Sequence, residues 1–202
     1  MADKAFSPMV LSGVKKVIFT PWGEEETLNL TTANRYELQH LVEDTVAISQ
    51  DENETSEVGC ETRDEPLYEA TTLGKFQVTM ESGNIHPELL SVCLGYTYDA
   101  KNKIAYAPTS YKKLYAHIEV VMEEASFVLP RVLLNGRIDA SSLKTGIARG
   151  VISGTAYSAD ASAQLDDDTD MEKIATPFFF FQKGGTMPTI SILGKGQGSY
   201  VE

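Results

Sequence analysis

The chain has 202 residues, 42% of them hydrophobic and 23% charged, and its formal net charge at pH 7 is −12. This composition excludes an intrinsically disordered chain, and no apolar run is long enough to span a bilayer. The negative charge excludes nucleic-acid binding by nonspecific attraction, which rests on Lys and Arg. One domain over residues 1–202 is expected, and the first eight residues lack the basic and apolar stretches of a secretory signal.

Strand patterns dominate the first part of the chain. Val14–Thr20 is rich in β-branched and aromatic residues and stops at the turn sequence Pro21-Trp22-Gly23. Thr27–Thr31 is predicted as its hairpin partner. Between residues 36 and 48 apolar residues recur at period two, which favours strand, although the stretch also fits an amphipathic helix.

The composition changes between Glu43 and Glu69. Ten acidic residues and a single basic one, Arg63, give this stretch a net charge of −9. So few large apolar residues cannot build a core, which predicts an exposed long loop or protruding hairpin. It could be a solvated loop tip or an assembly arm that becomes ordered on contact with a neighbour.

Regular structure is predicted again after this segment. Lys75–Met80 alternates as a strand, and Pro87–Leu94 is the clearest helix of the chain. Pro87 suits a first helical turn, and Gly95 suits the position after a helix end. Leucines and Cys93 give this helix one apolar face, which we expect to pack against a sheet.

The second half of the chain is predicted to be strand-rich. Pro130 and Arg131 indicate a bulge or an edge, and the four phenylalanines at 178–181 predict a strand buried on both faces. The glycine-rich segment Thr186–Glu202 is predicted as a C-terminal arm. The predicted strands are Leu114–Ala125, Ser126–Ile138, Ile147–Tyr157 and Thr176–Lys183.

Histidine and cysteine give no metal or redox motif. His40, His86 and His117 are widely spaced and stand in no zinc-binding pattern; His117 is interpreted as a half-exposed sheet residue and His86 as a helix-end contact. Cys60 and Cys93 belong to no CxxC motif, so two reduced thiols are favoured over a single disulfide.

Two further patterns resemble ligand sites superficially. Asp166, Asp168 and Asp170 have the spacing of a calcium loop, but the sixth position is Met171 where that loop needs glycine. A solvated acidic turn is therefore favoured over a looser calcium site. The glycines at 194–199 lack phosphate-loop spacing. No catalytic set and no cofactor site is indicated, and an enzyme is not expected.

The order of these features resembles the major tail tube proteins of long-tailed bacteriophages and related injection systems. A short strand opens the chain, an acidic excursion follows, and then come a strand, one helix and a strand-rich second half. The similarity is most specific over Asp44–Pro66.

The resemblance implies a mainly β fold, a β-sandwich or partial barrel with one flanking α-helix, a long protruding loop and terminal arms. It implies a virion structural protein, made in the host cytoplasm and located in the viral tail. Six copies would close into a ring, the rings would stack into a tube, and viral DNA would pass through without tight binding. Other tail proteins would be further partners.

The resemblance also assigns parts of the chain to assembly. Residues 50–69 would form the loop that contacts the adjacent ring, and residues 1–12 and 186–202 would form the arms. The inter-ring residues would be Asp51, Glu52, Glu54, Glu57, Glu61, Arg63, Asp64 and Glu65.

Two other classes of function remain open at this point. One is a different virion or surface structural protein, such as a capsid decoration protein or a fimbrial subunit. The other is a ligand-binding β-sandwich with aromatic residues in a cleft, for which Trp22, Tyr106, Tyr111 and Tyr115 are the candidates.

Overall fold

The computed structural model of the chain is mainly β. It describes residues 13–23, 27–31, 34–38, 40–60, 63–83, 86–110, 112–139, 148–164, 171–183, 185 and 187–191. For 56–60, 63–70, 163–164 and 171–173 the description is of the backbone alone. The arm predicted at 1–12 lies outside the described residues.

One helix and fifteen strands lie within the described residues. The helix, α1, spans Pro87–Leu94. The strands are β1 (Lys16–Pro21), β2 (Tyr36–Leu38), β3 (Ala47–Gln50), β4 (Glu54–Cys60), β5 (Arg63–Thr72), β6 (Phe76–Ser82), β7 (Thr97–Asp99), β8 (Ile104–Tyr106), β9 (Leu114–Val121), β10 (Ala125–Asp139), β11 (Arg149–Tyr157), β12 (Ala159–Gln164), β13 (Met171–Thr176), β14 (Phe179–Gln182) and β15 (Thr189–Ser191).

Seven strands form an antiparallel sheet in the order β2-β1-β9-β10-β11-β6-β3, and β14 pairs with the first part of β10. The sheet is curved, since its two edge strands supply Leu38 and Ile48 to the same core. Leu41, just after β2, also bridges to Ser82 of β6. The curvature leaves an open partial barrel with one flanking helix, which confirms the predicted fold class.

The helix begins and ends where the sequence predicts. The His86 imidazole Nδ1 accepts a hydrogen bond from the Glu88 amide (3.4 Å), and Pro87 occupies the first turn. Gly95 ends the helix in the left-handed region, with φ of +70°. Cys93 is buried in the core of the sheet, and Leu89 and Leu94 pack against the same core, so the predicted apolar face is confirmed.

A second layer covers part of the opposite face of the sheet. It is the three-stranded sheet β13-β12-β15, and its Ala159 and Ile190 pack with Val128 of β10. Leu28 and Leu30 are buried in the same cluster. The strand β11 ends at Tyr157 and β12 begins at Ala159, so a single residue joins the two sheets.

The predicted partner of the first strand is wrong. Thr27–Thr31 forms only an isolated bridge between Trp22 and Leu28, whereas β1 pairs with β2 and β9. The reason is that Leu28 and Leu30 are buried in the second cluster. Only the two ends of the period-two stretch at 36–48 are strand, as β2 and the start of β3, and no helix forms in its described residues. His40 and Asp44, in the irregular part between them, have positive φ angles.

The phenylalanine run is not buried on both faces. Phe179 and Phe181 pack on the second cluster, but Phe180 is 52% exposed. The cause is that β14 pairs only with residues 125–128 of β10, so one of its faces meets the second layer and the other stays open. Phe178 lies just before the strand and stacks on Phe76 at 5.1 Å between ring centroids.

Part of the predicted C-terminal arm belongs to the fold. Thr189–Ser191 is the strand β15, and Ile190 is fully buried. Residues 192–202 lie outside the described residues.

The predicted irregularity at Pro130 and Arg131 is confirmed, because the register between β9 and β10 shifts between Leu129 and Val132.

Gly154→Ala is expected to destabilise the fold by about 1–3 kcal/mol through overpacking. A Cβ at Gly154 would lie 2.4 Å from Val132 Cγ1 and 2.9 Å from the Leu133 carbonyl oxygen. Chemical denaturation measures the loss. Gly150→Ala is the matched control on the same strand, since nothing lies within 4 Å of its added Cβ. Equal stability of the two variants would contradict the packing described.

Candidate assembly surfaces and a buried polar cluster

The acidic segment forms a hairpin, which we call the acidic hairpin (residues 54–72). Its strands β4 and β5 pair from Glu54 and Thr72 at the base to Cys60 and Arg63 near the tip, as a two-stranded sheet of their own. At strand spacing it is roughly 20 Å long. Of the two predicted forms, a long loop and a hairpin, the described backbone shows a hairpin.

The predicted inter-ring residues fall along this hairpin and its base. Asp51 and Glu52 precede β4 with exposed side chains, and Glu54 begins the strand. Glu57 lies in β4, and Arg63, Asp64 and Glu65 lie in β5, at positions where only the backbone is described. Glu61 lies outside the described residues.

The base of the acidic hairpin is fixed to β6. The Asp51 carboxylate accepts hydrogen bonds from the Gln77 side-chain amide at 3.0 and 3.1 Å. The Asn53 side-chain oxygen accepts from the Gly74 amide at 3.0 Å. A Cβ at Gly74 would lie 1.8 Å from the Asp51 carbonyl oxygen, so this close approach requires glycine. The hairpin is thus held at its root by specific contacts.

One half of the main sheet presents a surface that we call the open face. Along β3, β6, β11 and the second half of β10, alternate residues such as Val78, Ile152 and Val132 are buried in the core. Their neighbours point the other way and are exposed or half-buried. The open face consists of Ala47, Ser49, Gln77, Thr79, Glu81, Leu133, Asn135, Arg137, Asp139, Arg149, Val151, Ser153, Thr155 and Tyr157.

Charges within this set of residues are balanced. The set carries two arginines and two carboxylates, and the Arg149 guanidinium lies 3.1 Å from the Glu81 carboxylate. Arg131, in register with Tyr157 at the border of the open face, adds a guanidinium that lies over the Tyr115 ring. Small polar groups fill the middle: Asn135, Ser153 and Thr79 are cross-strand neighbours in one row. A net charge of −9 is concentrated in residues 43–69, the segment that leads into the acidic hairpin, and not on the open face.

The main sheet ends in two edge strands. Among the described residues, β2 and β3 each pair with a strand on one side only. A groove of about 480 Å³ separates β3 from the start of β1 and is lined by apolar side chains, among them Val14, Ile48 and Phe127. Unpaired edges of this kind are sites where another chain can add a strand.

Between the layers lies a polar cluster that the sequence did not reveal. Arg35 donates to both carboxylate oxygens of Glu119 at 2.8 Å, and Glu119 is only 4% exposed. His117, two residues earlier on β9, is fully buried, so its prediction as a half-exposed residue is wrong. Its side chain shares a face with Glu119 and with Thr20, its partner on β1. Val128 is in register with Glu119 and packs with Ala159 and Ile190 of the second layer.

His117 has no hydrogen-bond partner on either ring nitrogen within the described structure, and the same holds for the Thr20 hydroxyl. The Glu119 carboxylate is 3.9 Å from His117 Nδ1, too far for a hydrogen bond. Burial, and secondarily the charge of Arg35, lowers the pKa of His117 from 6.5 to about 3. The imidazole is therefore neutral at physiological pH.

Two of the four candidate aromatic residues line one pocket. Trp22 and Tyr115 face a cavity of about 540 Å³ that also contains Lys112, Lys113 and Arg131. Tyr106 is exposed on β8, apart from this pocket. Tyr111 lies outside the described residues.

Other candidate chemistry is limited. Within the described ranges no group of three or more His, Cys, Asp or Glu side chains is placed to hold a metal ion. Asp166, Asp168, Asp170 and the glycines at 194–199 lie outside them. Cys93 is a free, buried thiol whose pKa burial raises to about 12, and the side chain of Cys60 is not described. No helix in the described part of the chain is long and apolar enough to cross a membrane.

Comparison with known proteins adds no assignment. No protein family model matches the chain, and no curated protein matches it either.

Proposed function

We propose that this chain is a structural subunit of a viral tail tube, which assembles into stacked rings, six copies to a ring, around a channel for DNA. The observation that carries the proposal is the open face, a small-polar, charge-balanced surface on a sheet with unpaired edges. In this role the protein has no catalytic function. Its partners are copies of itself, other tail proteins and DNA in transit.

The edges of the main sheet support ring closure. Among the described strands of an isolated subunit, the outer sides of β2 and β3 are unpaired. Unpaired strand edges can form hydrogen bonds with a strand of another chain. When identical subunits join edge to edge around an axis, their sheets become one closed barrel and the edges disappear. The apolar groove beside β3 would be covered by the same event.

The open face has the chemistry of a channel wall for DNA. A basic wall would bind phosphates strongly, because each contact releases counterions. Here the two arginines are matched by two carboxylates, and the remaining polar groups are small and neutral. Such a surface is wetted by water and holds DNA weakly, which suits passage.

The acidic hairpin supports stacking between rings. It stands apart from the main sheet as its own two-stranded unit and is anchored at its base by Asp51 and Asn53. An element with a fixed root and a sheet of its own can reach a neighbouring ring without changing the fold of its own subunit.

Electron microscopy of the purified protein tests the proposal. We expect rings or tubes in negative stain at high protein concentration, with a central channel and six-fold symmetry. Trimeric rings would indicate a capsid decoration protein instead. A protein that stays monomeric by light scattering under all conditions, including after addition of preformed assemblies, would overturn the proposal.

Removal of the acidic hairpin separates stacking from folding. Replacing residues 56–70 by an Asn-Gly turn keeps Thr55 and Thr71, which face each other near the base, and keeps both anchors. We expect a melting temperature close to that of the parent, because the hairpin is a separate sheet, and loss of tubes. Tubes of normal length from this variant would show that the hairpin is not the stacking element.

A further inference from the structure

The small hairpin of β7 and β8, which we call the basic hairpin (residues 97–106), has one uncovered face. Both of its strands contact α1, and the in-register pair Tyr98 and Ala105 is half-buried. On the other face Ile104 is 45% and Tyr106 is 53% exposed. These two residues are two apart on one strand, so their side chains point the same way. They form an apolar patch that a partner can cover.

Two lysines lie at the turn of the basic hairpin. Lys101 and Lys103 are exposed, and neither makes an ion pair within the described structure. The Asp99 carboxylate accepts hydrogen bonds from the Lys101 and Asn102 amides at 3.0 and 3.1 Å. It also accepts one from the Asn102 side chain at 2.7 Å. The turn is therefore held in one shape, which reduces the ordering entropy that binding costs.

The root of the acidic hairpin, which we call the hairpin root (residues 51–54 and 71–75), surrounds an apolar side chain with carboxylates. Leu73 is 62% exposed, the most exposed large apolar side chain among the described residues. On one side of it, Thr72 is in register with Glu54. On the other side, a Cβ at Gly74 would lie 2.9 Å from the Glu52 carbonyl oxygen. Glu52 and Glu54 are exposed and form no ion pair in the described part of the chain.

The net charges of the two surfaces are opposite. The hairpin root has a third carboxylate, Asp51, which accepts hydrogen bonds from Gln77, and a single cation, Lys75. It is therefore net negative. The basic hairpin has two lysines and one carboxylate, so it is net positive in a chain whose overall charge is −12. Surfaces of opposite charge attract each other and disfavour the pairing of like surfaces.

The two surfaces lie at opposite ends of β9. The basic hairpin continues to Pro108, which lines a cavity of about 160 Å³ together with Leu114 at the start of β9. The hairpin root adjoins the groove in which Gln50 and Phe76 lie with Val120, near the end of that strand. Leu114 and Val120 are separated by roughly 20 Å of strand. Each copy therefore has one of the two surfaces at each end.

We propose that the basic hairpin of one copy docks on the hairpin root of a second copy. The apolar patch covers Leu73, and the two lysines pair with the two exposed glutamates of the root. Because donor and acceptor lie at different ends of the subunit, the contact is head-to-tail and repeats along an axis. One such contact is small, but the copies of a ring bind together, so their effects multiply. The inference rests on the proposed function, and it adds this contact to the stacking interface of the outer hairpin.

Charge reversal tests the pairing. Lys101→Glu with Lys103→Glu reverses the basic hairpin, and Glu52→Lys with Glu54→Lys reverses the hairpin root. Each double variant is expected to form rings as the wild type does. Each is expected to need at least about tenfold more protein to form tubes, because like charges then face each other. The chain with all four substitutions has opposite charges again and is expected to form tubes near the wild-type concentration.

Lys113→Glu with Lys183→Glu is the matched control. These exposed lysines lie outside both surfaces, form no ion pair in the described structure, and give the same change of net charge. Circular dichroism establishes that all variants are folded. If the basic-hairpin variant forms tubes as readily as the wild type, or the control loses them equally, the contact is wrong while the tube function stands. If the wild type forms no assemblies, both fall.

Cross-linking through introduced cysteines tests the apolar part of the contact. Leu73→Cys and Tyr106→Cys are combined in one chain that also carries Cys60→Ser, and the native Cys93 is buried. Treatment of the assembled tubes with a short bismaleimide is expected to give a ladder of covalent multimers on a denaturing gel, because each copy is joined to the next. Either single cysteine substitution is the control and cannot give a ladder. Tubes of the double variant that yield only monomer would overturn the proposed contact.

Discussion

Arg35→Met is expected to lower the free energy of unfolding by about 3–5 kcal/mol, measured by urea denaturation. Arg35 donates two 2.8 Å hydrogen bonds to Glu119, which is almost completely buried. Removal of the guanidinium takes two charge-assisted hydrogen bonds from this buried carboxylate. The cost is that of breaking a buried ion pair from one side, and it exceeds what a surface ion pair contributes.

Two further variants compare the loss of Arg35 with the loss of an exposed ion pair and with the removal of both buried charges. Lys16→Met removes an ion pair of 3.2 Å with Glu37, in which both side chains are more than 40% exposed, and is expected to cost about 0–1 kcal/mol. Arg35→Met combined with Glu119→Leu removes both charges and is expected to restore most of the stability. If Arg35→Met costs no more than Lys16→Met, the pair is not buried as described.

His117→Leu is expected to make the protein more resistant to acid. The pKa of His117 is about 3 in the folded protein and 6.5 without burial, so the unfolded chain binds the extra proton first. Stability from this residue is complete above pH 6.5 and is lost progressively as the pH falls toward 3. The loss is up to about 1.4 kcal/mol per pH unit, and leucine removes it.

The measurement is the free energy of unfolding at several pH values between 7 and 4. The difference between His117→Leu and wild type isolates one group from the many carboxylates that titrate in the same range. His40→Asn, at an exposed position with φ of +59° that asparagine tolerates, is the matched histidine removal. Parallel pH profiles for His117→Leu and wild type would contradict the burial of a neutral imidazole.

Local signals in the sequence were sufficient to predict several elements of the fold. Helix α1 has its proline at the start and its glycine after the end, and both act within one turn of the chain. The separation of the hairpin from the main sheet followed from composition, because a stretch with ten carboxylates and few large apolar residues cannot build a core. The bulge at Pro130 followed from the missing amide of proline.

Long-range pairing could not be predicted in the same way. Nothing within Thr27–Thr31 indicates that Leu28 and Leu30 serve the second cluster, while the short β2 pairs with β1. The burial of His117 depends on a layer that follows it by forty residues and more. Its polarity favoured an exposed position, and only the three-dimensional structure shows otherwise.

The pocket lined by Trp22, Tyr115, Lys112, Lys113 and Arg131 was missed for a related reason. Lys112 and Lys113 are only a pair in sequence, and Arg131 stands alone on another strand. They meet because β9 and β10 are neighbours and the bulge lies beside Tyr115. Three cations from two elements leave no motif along the chain. Trp22 and Tyr115, in contrast, were identified as candidate aromatic residues from sequence.

Ser158 alone separates the last residue of β11 from the first residue of β12. On one side Tyr157 is in register with Arg131, and on the other Ala159 is in register with Thr176. A hinge needs several residues that can change their backbone angles, and this corner provides one. The two sheets should therefore turn and tilt as one rigid body, so bending of any assembly must be absorbed between subunits.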